Sequence, residues 1–275
     1  MDYHQNIWLE SYPKSGNTWV RMFLDAYFLG EVDINDVVTS VTDDSSPRHQ
    51  VGDGSKVETF PIAVQQLTRP MALLRLVRQF EANRFADIPL FVKTHNQHVI
   101  ANGIELLPME LTKAVVHIVR DPREVLPSFS THMGKSQEEG LERMEDKLNV
   151  IFQEGMAAVA DFVGSWNDHT KAYLNNDTHN VRTWRYEDMK ADPVRVFSEI
   201  LEHSGVTPSK ARVKEALEKV KLDRLKKQEE KKGFSESSPY AENQFFGKKH
   251  QRITPKLKHR IEKKCGRIMK RLNYD

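Results

Sequence analysis

The segment YPKSGNTW, near the start of the chain, combines residue types that bind an anion. Gly16 frees the backbone to turn, so that successive N–H groups can face one ligand at the N-terminus of a following helix. Ser15 and Thr18 add hydroxyl groups, and Lys14 adds a positive charge. Trp19 can offer a ring face to a nucleoside base. The lysine precedes the glycine, unlike the G-x-x-x-x-G-K-[ST] pattern of nucleoside triphosphate loops, so a phosphate-binding loop of another kind is predicted.

Short apolar runs predict the strands that must position this loop. They cover residues 7–11, 90–94, 114–119 and 181–186, and the last is less central because it contains two arginines. Apolar residues at helical spacing follow the first run. Strands that alternate with helices favour an α/β fold in a single domain, residues 1–275. We expect a P-loop-like nucleotide fold, with a central parallel sheet of about five strands and helices on both faces.

Three pairs of a capping residue and a proline predict helix starts, at Asp121-Pro122, Asp192-Pro193 and Thr207-Pro208. Glu124 would complete a capping box at the first of them. A fourth such pair, Thr254-Pro255, begins the last predicted helix. Cys265 belongs to the apolar face of this helix and is expected to pack in the core.

Longer patterns predict two further helices and a loop. Apolar residues three and four positions apart indicate one long helix over residues 141–166. Another helix is predicted over residues 63–85, interrupted at Pro70, and the polar stretch 42–55 is predicted to be a loop.

Composition excludes several classes of protein. Lys and Arg number 41 against 39 Asp and Glu, a net charge of +2 that argues against a nucleic-acid binder held by bulk charge. One cysteine excludes an intramolecular disulfide and a Cys-rich zinc site. No apolar run approaches the roughly 18 residues of a membrane span, and the N-terminal MDYHQNIWLE lacks the basic-then-apolar pattern of a signal peptide. A cytoplasmic enzyme is expected, and its oligomeric state stays open.

Four segments, in order along the chain, resemble the cytosolic-type sulfotransferases. YPKSGNTW resembles their 5′-phosphosulfate loop, with Asn17 where threonine is usual. Lys93-Thr94-His95 resembles their Lys-Thr-His at the end of the next strand. VVHIVRDPREVLPSF resembles their 3′-phosphate segment, with Arg120 and Ser128, and RYEDM resembles the segment whose tyrosine, here Tyr186, contacts adenine.

This resemblance implies transfer of a sulfuryl group from 3′-phosphoadenosine-5′-phosphosulfate (PAPS) to a hydroxyl or amine of a small acceptor. His95 would take the acceptor proton as general base. Lys14 would stabilise the oxygen that bridges to the 5′-phosphate, and Lys93 the sulfuryl oxygens. A sulfuryl group carries less charge than a phosphate tail, so no metal is expected. The residues implied to bind the donor are Lys14, Ser15, Gly16, Asn17, Thr18, Trp19, Arg120, Ser128, Tyr186, Gly247, Lys248 and Lys249.

The segment that closes over the 3′-phosphate has two candidates. Gly247, Lys248 and Lys249 follow a pair of phenylalanines, as in related enzymes, and are preferred; residues 231–233 offer a second Lys-Gly match. The acceptor itself stays open, because it would be set by loops such as 42–60 and 135–148.

Other interpretations compete with this one. His98 is a rival for the base, whereas His117 lies inside a strand and is read as structural. A phosphoryl-transfer enzyme with an atypical phosphate loop is one alternative function. A module that binds nucleic acid or an acidic membrane is another, because residues 248–271 carry eleven Lys and Arg against Glu262 alone. The organised donor site argues against the binding module, so no nucleic-acid partner is expected, and the missing lysine-serine pair of a nucleoside triphosphate loop argues against the phosphoryl-transfer enzyme.

Overall fold

A computed structural model describes residues 6–35, 41–43, 91–101, 104–151, 161–237, 240 and 244–274. The predicted helix over 63–85 lies outside the described residues, and so does most of the predicted loop over 42–55. Of that loop, Thr42 and Asp43 are described, and both belong to a short strand.

The strands form one main sheet and two short hairpins. The main sheet contains β1 (Asn6–Ser11), β2 (Val41–Asp43), β3 (Phe91–Thr94), β6 (Thr112–Val119) and β9 (Val181–Arg185), in the order β2-β3-β1-β6-β9. All neighbouring pairs are parallel. The hairpins pair β4 (Ile100–Ala101) with β5 (Ile104–Glu105), and β7 (Val150–Ile151) with β8 (Asp161–Phe162). The predicted five-stranded parallel sheet is confirmed.

Nine α-helices are present among the described residues. They are α1 (Asn17–Leu29), α2 (Pro122–Met133), α3 (Gln137–Glu145), α4 (Trp166–Leu174), α5 (Tyr186–Ala191), α6 (Pro193–His203), α7 (Lys210–Lys219), α8 (Leu222–Lys232) and α9 (Pro255–Arg271). None of these described helices is both long enough and apolar enough to cross a membrane.

Both faces of the sheet are covered, as a parallel sheet requires. On β1, Ile7 and Leu9 point to a core that includes α1, α6 and α7, whereas Trp8 points to the opposite face with Tyr173 of α4. The last helix packs an apolar stripe that contains Cys265, and burial raises the pKa of this thiol to about 12. Cys265 therefore packs, as predicted.

Three of the four helix starts predicted from proline are confirmed. Asp121 accepts a hydrogen bond from the backbone N–H of Arg123 at 2.8 Å, and Asp192 from that of Arg195 at 3.2 Å. Thr254 also caps α9, through the N–H of Leu257. These short polar side chains satisfy N–H groups that have no partner inside the helix.

Two details at the predicted helix starts are wrong. The helix expected at Thr207-Pro208 begins at Lys210, because Ser209 provides the cap. The capping box at Asp121 does not form, since the Asp121 N–H donates to Glu187 Oε1 at 3.3 Å. Glu124 instead lies 3.6 Å from Arg120.

The single long helix predicted over residues 141–166 is also wrong. Helix α3 ends at Glu145, where the Asp146 side chain accepts the N–H of Leu148 at 2.9 Å and turns the chain. Gly164, with φ of 65°, and the Ser165 cap then begin α4. The predicted segment therefore contains the end of α3, the paired strands β7 and β8, and the start of α4, and its residues 152–160 lie outside the described part of the chain.

Candidate functional site

The parallel sheet brings the predicted motifs to one edge, because parallel strands all end on the same side. Strand β1 ends at Ser11, directly before YPKSGNTW, and β3 ends at Thr94, directly before His95. Strand β6 ends at Val119, directly before Arg120, and β9 is followed by Tyr186. Each segment singled out from the sequence therefore leaves the sheet at this edge.

The loop between β1 and α1 turns on two residues with positive φ, Lys14 at 69° and Gly16 at 114°. At Gly16 the ring of Tyr186 leaves no room for a side chain, since a Cβ there would lie 2.6 Å from Tyr186 Cδ2. The carbonyl of Gly16 accepts the N–H of Trp19 at 3.0 Å, which starts the helix. Glycine is therefore required for both conformation and space.

The polar side chains of this loop have different surroundings. Asn17 is buried, and its amide donates to the carbonyl of Leu9 at 2.8 Å, which ties the helix start to β1. Thr18 accepts a hydrogen bond from Arg21 at 3.3 Å. The buried hydroxyl of Ser15 has no hydrogen-bond partner within the described part of the chain.

Lys14 lies at the centre of a group of cations. Burial lowers the pKa of its ammonium to about 8; Glu236 opposes this shift, whereas Arg120 and Lys93 add to it. Its Nζ lies 4.0 Å from the centre of the Phe245 ring. The mutual repulsion of these cations indicates a site that favours an anion.

His95 is held with a defined ring orientation. Its Nδ1 lies 2.6 Å from the carbonyl oxygen of Ser11, and a carbonyl can only accept, so Nδ1 carries the hydrogen. The basic lone pair of the neutral ring therefore belongs to Nε2. This is the tautomer that a proton acceptor at Nε2 requires.

Arg120 and the aromatic residues meet beside the loop. Arg120 Nη1 donates to the carbonyl of Lys14 at 3.3 Å, and its guanidinium lies 4.8 Å from the centre of the Tyr186 ring. The rings of Trp19 and Tyr186 are edge to face, with centres 6.1 Å apart. The fold thus joins the residues predicted for the 5′-phosphate, the 3′-phosphate and the base.

A small cavity connects α2 with the C-terminal segment. Its lining is Lys14, Ser128, Thr131, His132, Gln244, Phe245, Lys248 and His250. The cavity therefore brings together three predicted donor residues, Lys14, Ser128 and Lys248. Lys249 is exposed and is not part of the lining, and Gly247 has a φ of 69° that suits glycine.

Two histidines in this cavity were not predicted. Burial, followed by Lys14 and Lys93, lowers the pKa of His132 to about 4. Burial is also the largest cause that lowers the pKa of His250, and the charges of Lys14, Arg120 and Lys248 lower it further. His132 lies one helical turn after Ser128, a spacing that could have identified it. No sequence signal marks His250.

The second candidate for the closing segment lies elsewhere. Residues 231–233 end α8, and the ammonium of Lys232 contacts Asp33. Lys248 is therefore the better placed of the two matches, because it lines the cavity with Ser128.

The rival base His98 is held in a separate cluster. Its Nε2 lies 3.2 Å from Glu105 Oε1, and Glu105 also lies 3.4 Å from His179 Nε2. The Asn176 amide lies 3.2 Å from His98 Nδ1, and its Oδ1 is already an acceptor for backbone N–H groups, so the NH₂ donates to His98. His98 Nε2 therefore carries the hydrogen and donates to the carboxylate.

Among the described residues, the fold also brings together two groups of three side chains with potential metal-ligand atoms, although no metal-ligand spacing is visible in the sequence. One is His98 with Glu105 and His179; the other is Glu10 with His117 and His169. In the first group, His98 Nε2 carries a hydrogen and donates it to Glu105, which is itself one of the potential ligands. A metal-binding imidazole instead coordinates the metal through one nitrogen and donates the hydrogen on its other nitrogen to a group outside the ligand set. Burial holds the pKa of His117, in the second group, well below its usual range.

Comparison with known proteins agrees with this geometry. The profile of the sulfotransferase domain family matches residues 4–273. The chain belongs to this family. It is 25% identical over 206 residues to sulfotransferase 1A1 of Canis lupus familiaris, covering 73% of this chain and 59% of that protein. It is 24% identical to sulfotransferase 1A1 of Bos taurus over 226 residues, which cover 81% of this chain and 66% of the relative. The matches thus span about 59–66% of the length of these two relatives.

Solved structures of the sulfotransferase family share the fold. Mouse sulfotransferase SULT7A1, complexed with PAP, superposes with a TM-score of 0.61 at 17% identity, over 98% of this chain and 84% of that one. Retinol dehydratase in a complex with retinol and PAP superposes with a TM-score of 0.60, also at 17% identity, over 98% and 82% of the two chains. The predicted α/β fold and the predicted family are both confirmed.

Proposed function

We propose that this sulfotransferase-family protein transfers the sulfuryl group of PAPS to a hydroxyl or amine of a small acceptor. The observation that carries the proposal is the arrangement at the sheet edge. His95 presents the basic nitrogen of a fixed tautomer, and the phosphate loop begins directly after the Ser11 carbonyl that fixes it. Lys14 and Lys93, which oppose each other's charge, belong to the same edge.

The donor is assigned to the loop and the cavity. The N–H groups of Lys14, Gly16, Asn17 and Thr18 and the hydroxyls of Ser15 and Thr18 bind the 5′-phosphosulfate, whereas the N–H groups of Ser15 and Trp19 donate to backbone carbonyls of the loop. Arg120, Ser128 and Lys248 bind the 3′-phosphate, and Gly247 and Lys249 close over it. Tyr186 and Trp19 contact the adenine. Asn17 supports the loop through the hydrogen bond from its amide to the Leu9 carbonyl on strand β1. The unpartnered Ser15 hydroxyl and the depressed pKa of Lys14 support this assignment.

The reaction has one proton and one sulfuryl group to move. The acceptor oxygen or nitrogen attacks the sulfur and loses its proton to His95 Nε2, while the bond between sulfur and the bridging oxygen breaks. PAP, the adenosine 3′,5′-bisphosphate product, leaves with the negative charge that develops on that oxygen. Lys14 stabilises this oxygen, and Lys93 stabilises the sulfuryl oxygens.

This proposal includes no metal, because the lysines and loop amides can balance the charge of a single sulfuryl group. We place the reaction in the cytoplasm. The acceptor is assigned to residues 42–60, most of which lie outside the described part of the chain, and to residues 135–148, which form helix α3 with its flanking turns and not the expected loop. A phosphoryl-transfer enzyme and a polyanion-binding module predict different ligands, so ligand binding separates the three functions.

Ligand-induced stabilisation tests the donor. A ligand that binds only the folded state raises the melting temperature. PAP should raise it by several degrees, whereas ATP with magnesium or duplex DNA at equal concentration should do so much less. Equal stabilisation by ATP would contradict the assignment, and stabilisation by DNA alone would support the binding module.

Turnover of labelled PAPS with a panel of phenols, alcohols and amines tests the reaction. His95→Ala should reduce turnover by about 10²–10⁴-fold, the usual contribution of a general base, and leave PAP affinity nearly unchanged. His98→Ala is the matched control, because this ring donates to Glu105. If His98→Ala were the damaging change and His95→Ala mild, the proposed base would be wrong.

A further inference from the structure

Glu10 is a fully buried carboxylic acid in the middle of strand β1, with 0% of its surface exposed. It faces two imidazoles: His169 Nε2 lies 2.9 Å from Oε1, and His117 Nε2 lies 3.5 Å from Oε2. Burying an ionisable group is costly unless it is paired, and an apolar side chain would fill a strand interior at lower cost. The proposed reaction has so far given Glu10 no role.

Two short paths connect Glu10 to the proposed base. Along the chain, the next residue is Ser11, whose carbonyl holds His95 Nδ1 at 2.6 Å. Through space, His169 Nε2 contacts both the Glu10 carboxylate and, at 3.4 Å, the backbone carbonyl of His95. Both the ring and the backbone of His95 are therefore held by groups next to Glu10.

The charges around His95 explain how an acidic side chain at position 10 could assist the proposed base. Burial, with added contributions from the charges of Lys14 and Lys93, lowers the pKa of His132 in the cavity, so a further positive charge is disfavoured near these lysines. His95 must nevertheless become an imidazolium when it takes the acceptor proton. A buried carboxylate on the residue before Ser11 would offset that charge, and electrostatic interactions are strong at low dielectric.

We propose that Glu10 is a positioning residue for His95, which fixes this ring through Ser11 and His169 and stabilises its protonated form. This proposal rests on the proposed role of His95 as base. Glu10 itself exchanges no proton with the acceptor, since the transferred proton goes to His95 Nε2.

The protonation of Glu10 adds a pH dependence. Burial raises its pKa to about 7, and His169 opposes the shift. The other ionisable groups around it are His117 on β6 and Tyr173 on α4; on β3, its register partner is the uncharged Thr94. His117 stays neutral, because burial holds its pKa well below its usual range. The carboxylate form, and with it the basicity of His95, therefore increases as the pH rises through about 7.

Glu10→Gln tests the charge at nearly constant shape. With PAPS and acceptor saturating, the acidic limb of the kcat profile should move down by about one pH unit and the plateau should fall about tenfold, whereas PAP affinity stays the same. Glu105→Gln is the matched control, because that carboxylate also contacts two imidazoles but belongs to the separate cluster with His98. A uniform loss of kcat with no shift of the limb would overturn the proposal, since it indicates a packing role only.

A measurement on the unaltered protein keeps the proposal testable if Glu10→Gln does not fold. The His95 ring, followed by NMR with PAP bound, should titrate in two steps with one inflection near pH 7, because the two groups are coupled. A single-step titration would overturn the proposal. His95→Ala separates the two ideas: retained turnover contradicts the proposed base, whereas lost turnover with a normal Glu10→Gln profile contradicts Glu10 alone.

Discussion

The backbone N–H of Phe246 donates to the carboxylate of Glu229 at 3.0 Å, and the N–H of Phe245 donates to the other oxygen of the same group. Glu229 belongs to α8 and is 6% exposed. This contact fixes the start of the segment that carries Lys248 into the cavity. It also holds the Phe245 ring against the ammonium of Lys14.

Replacing Glu229 by alanine should therefore loosen the closing segment. Hydrogen bonds to a charged group contribute about 1.5–3 kcal/mol each, and we expect PAP affinity to fall about tenfold. Hydrogen exchange over residues 244–253 should lose the protection that PAP gives the unaltered protein. Glu230→Ala, at the exposed neighbouring position, is the control. Unchanged exchange in Glu229→Ala would show that this carboxylate does not order the segment.

Gly16→Ala should abolish donor binding and also lower the stability of the fold. The new Cβ would meet the Tyr186 ring at 2.6 Å, and the φ of 114° disfavours any side chain. Calorimetry with PAP measures the loss. Adding Tyr186→Ala relieves the steric clash but also removes the proposed adenine contact, so the double variant should fold better than Gly16→Ala and still bind PAP weakly. Gly266→Ala, in helix α9 where nothing lies within 4 Å, should leave binding intact.

The position of each residue in the fold explains which parts of this site could be predicted from the sequence. Ser11, Thr94 and Val119 end strands that are apolar and short, so His95, Arg120 and the phosphate loop could be assigned to one edge before any geometry was known. The strands β7 and β8 were missed because the apolar residues from 141 to 166 recur three and four positions apart, as in a helix. A pattern of apolar residues records which face is buried, and it does not record where the chain turns.

The Glu10 cluster could not be predicted for a different reason. Glu10, His117 and His169 lie on β1, β6 and α4, and only the register of the sheet and the packing of α4 bring them together. His250 likewise reaches the cavity through Thr131, whose hydroxyl lies 3.1 Å from its Nδ1. Contacts between distant segments leave no local signal in the sequence.

Arg120→Ala should weaken the binding of nucleotides that carry a 3′-phosphate and spare those that lack it. A charge-assisted contact of this kind contributes about 1.5–3 kcal/mol, or roughly 10–150-fold in Kd. The comparison is PAP against adenosine 5′-phosphosulfate, titrated under the same salt concentration. Arg182→Ala, an exposed arginine on the edge strand β9, should change neither affinity. Equal losses for both nucleotides would move Arg120 away from the 3′-phosphate.

Donor affinity should decline at alkaline pH because of Lys14. Burial and the neighbouring cations hold the pKa of its ammonium at about 8 in the absence of an anion. A bound phosphosulfate favours the charged form, so binding raises this pKa, and affinity is highest below pH 8 and falls as Lys14 loses its proton. The phosphates of PAP are already fully ionised there, since their second pKa is about 6. Calorimetric titration of PAP between pH 7 and 9.5 should show this decline, and Lys14→Arg, which keeps its charge, should remove it. A decline of equal size in Lys14→Arg would assign the titration to another group.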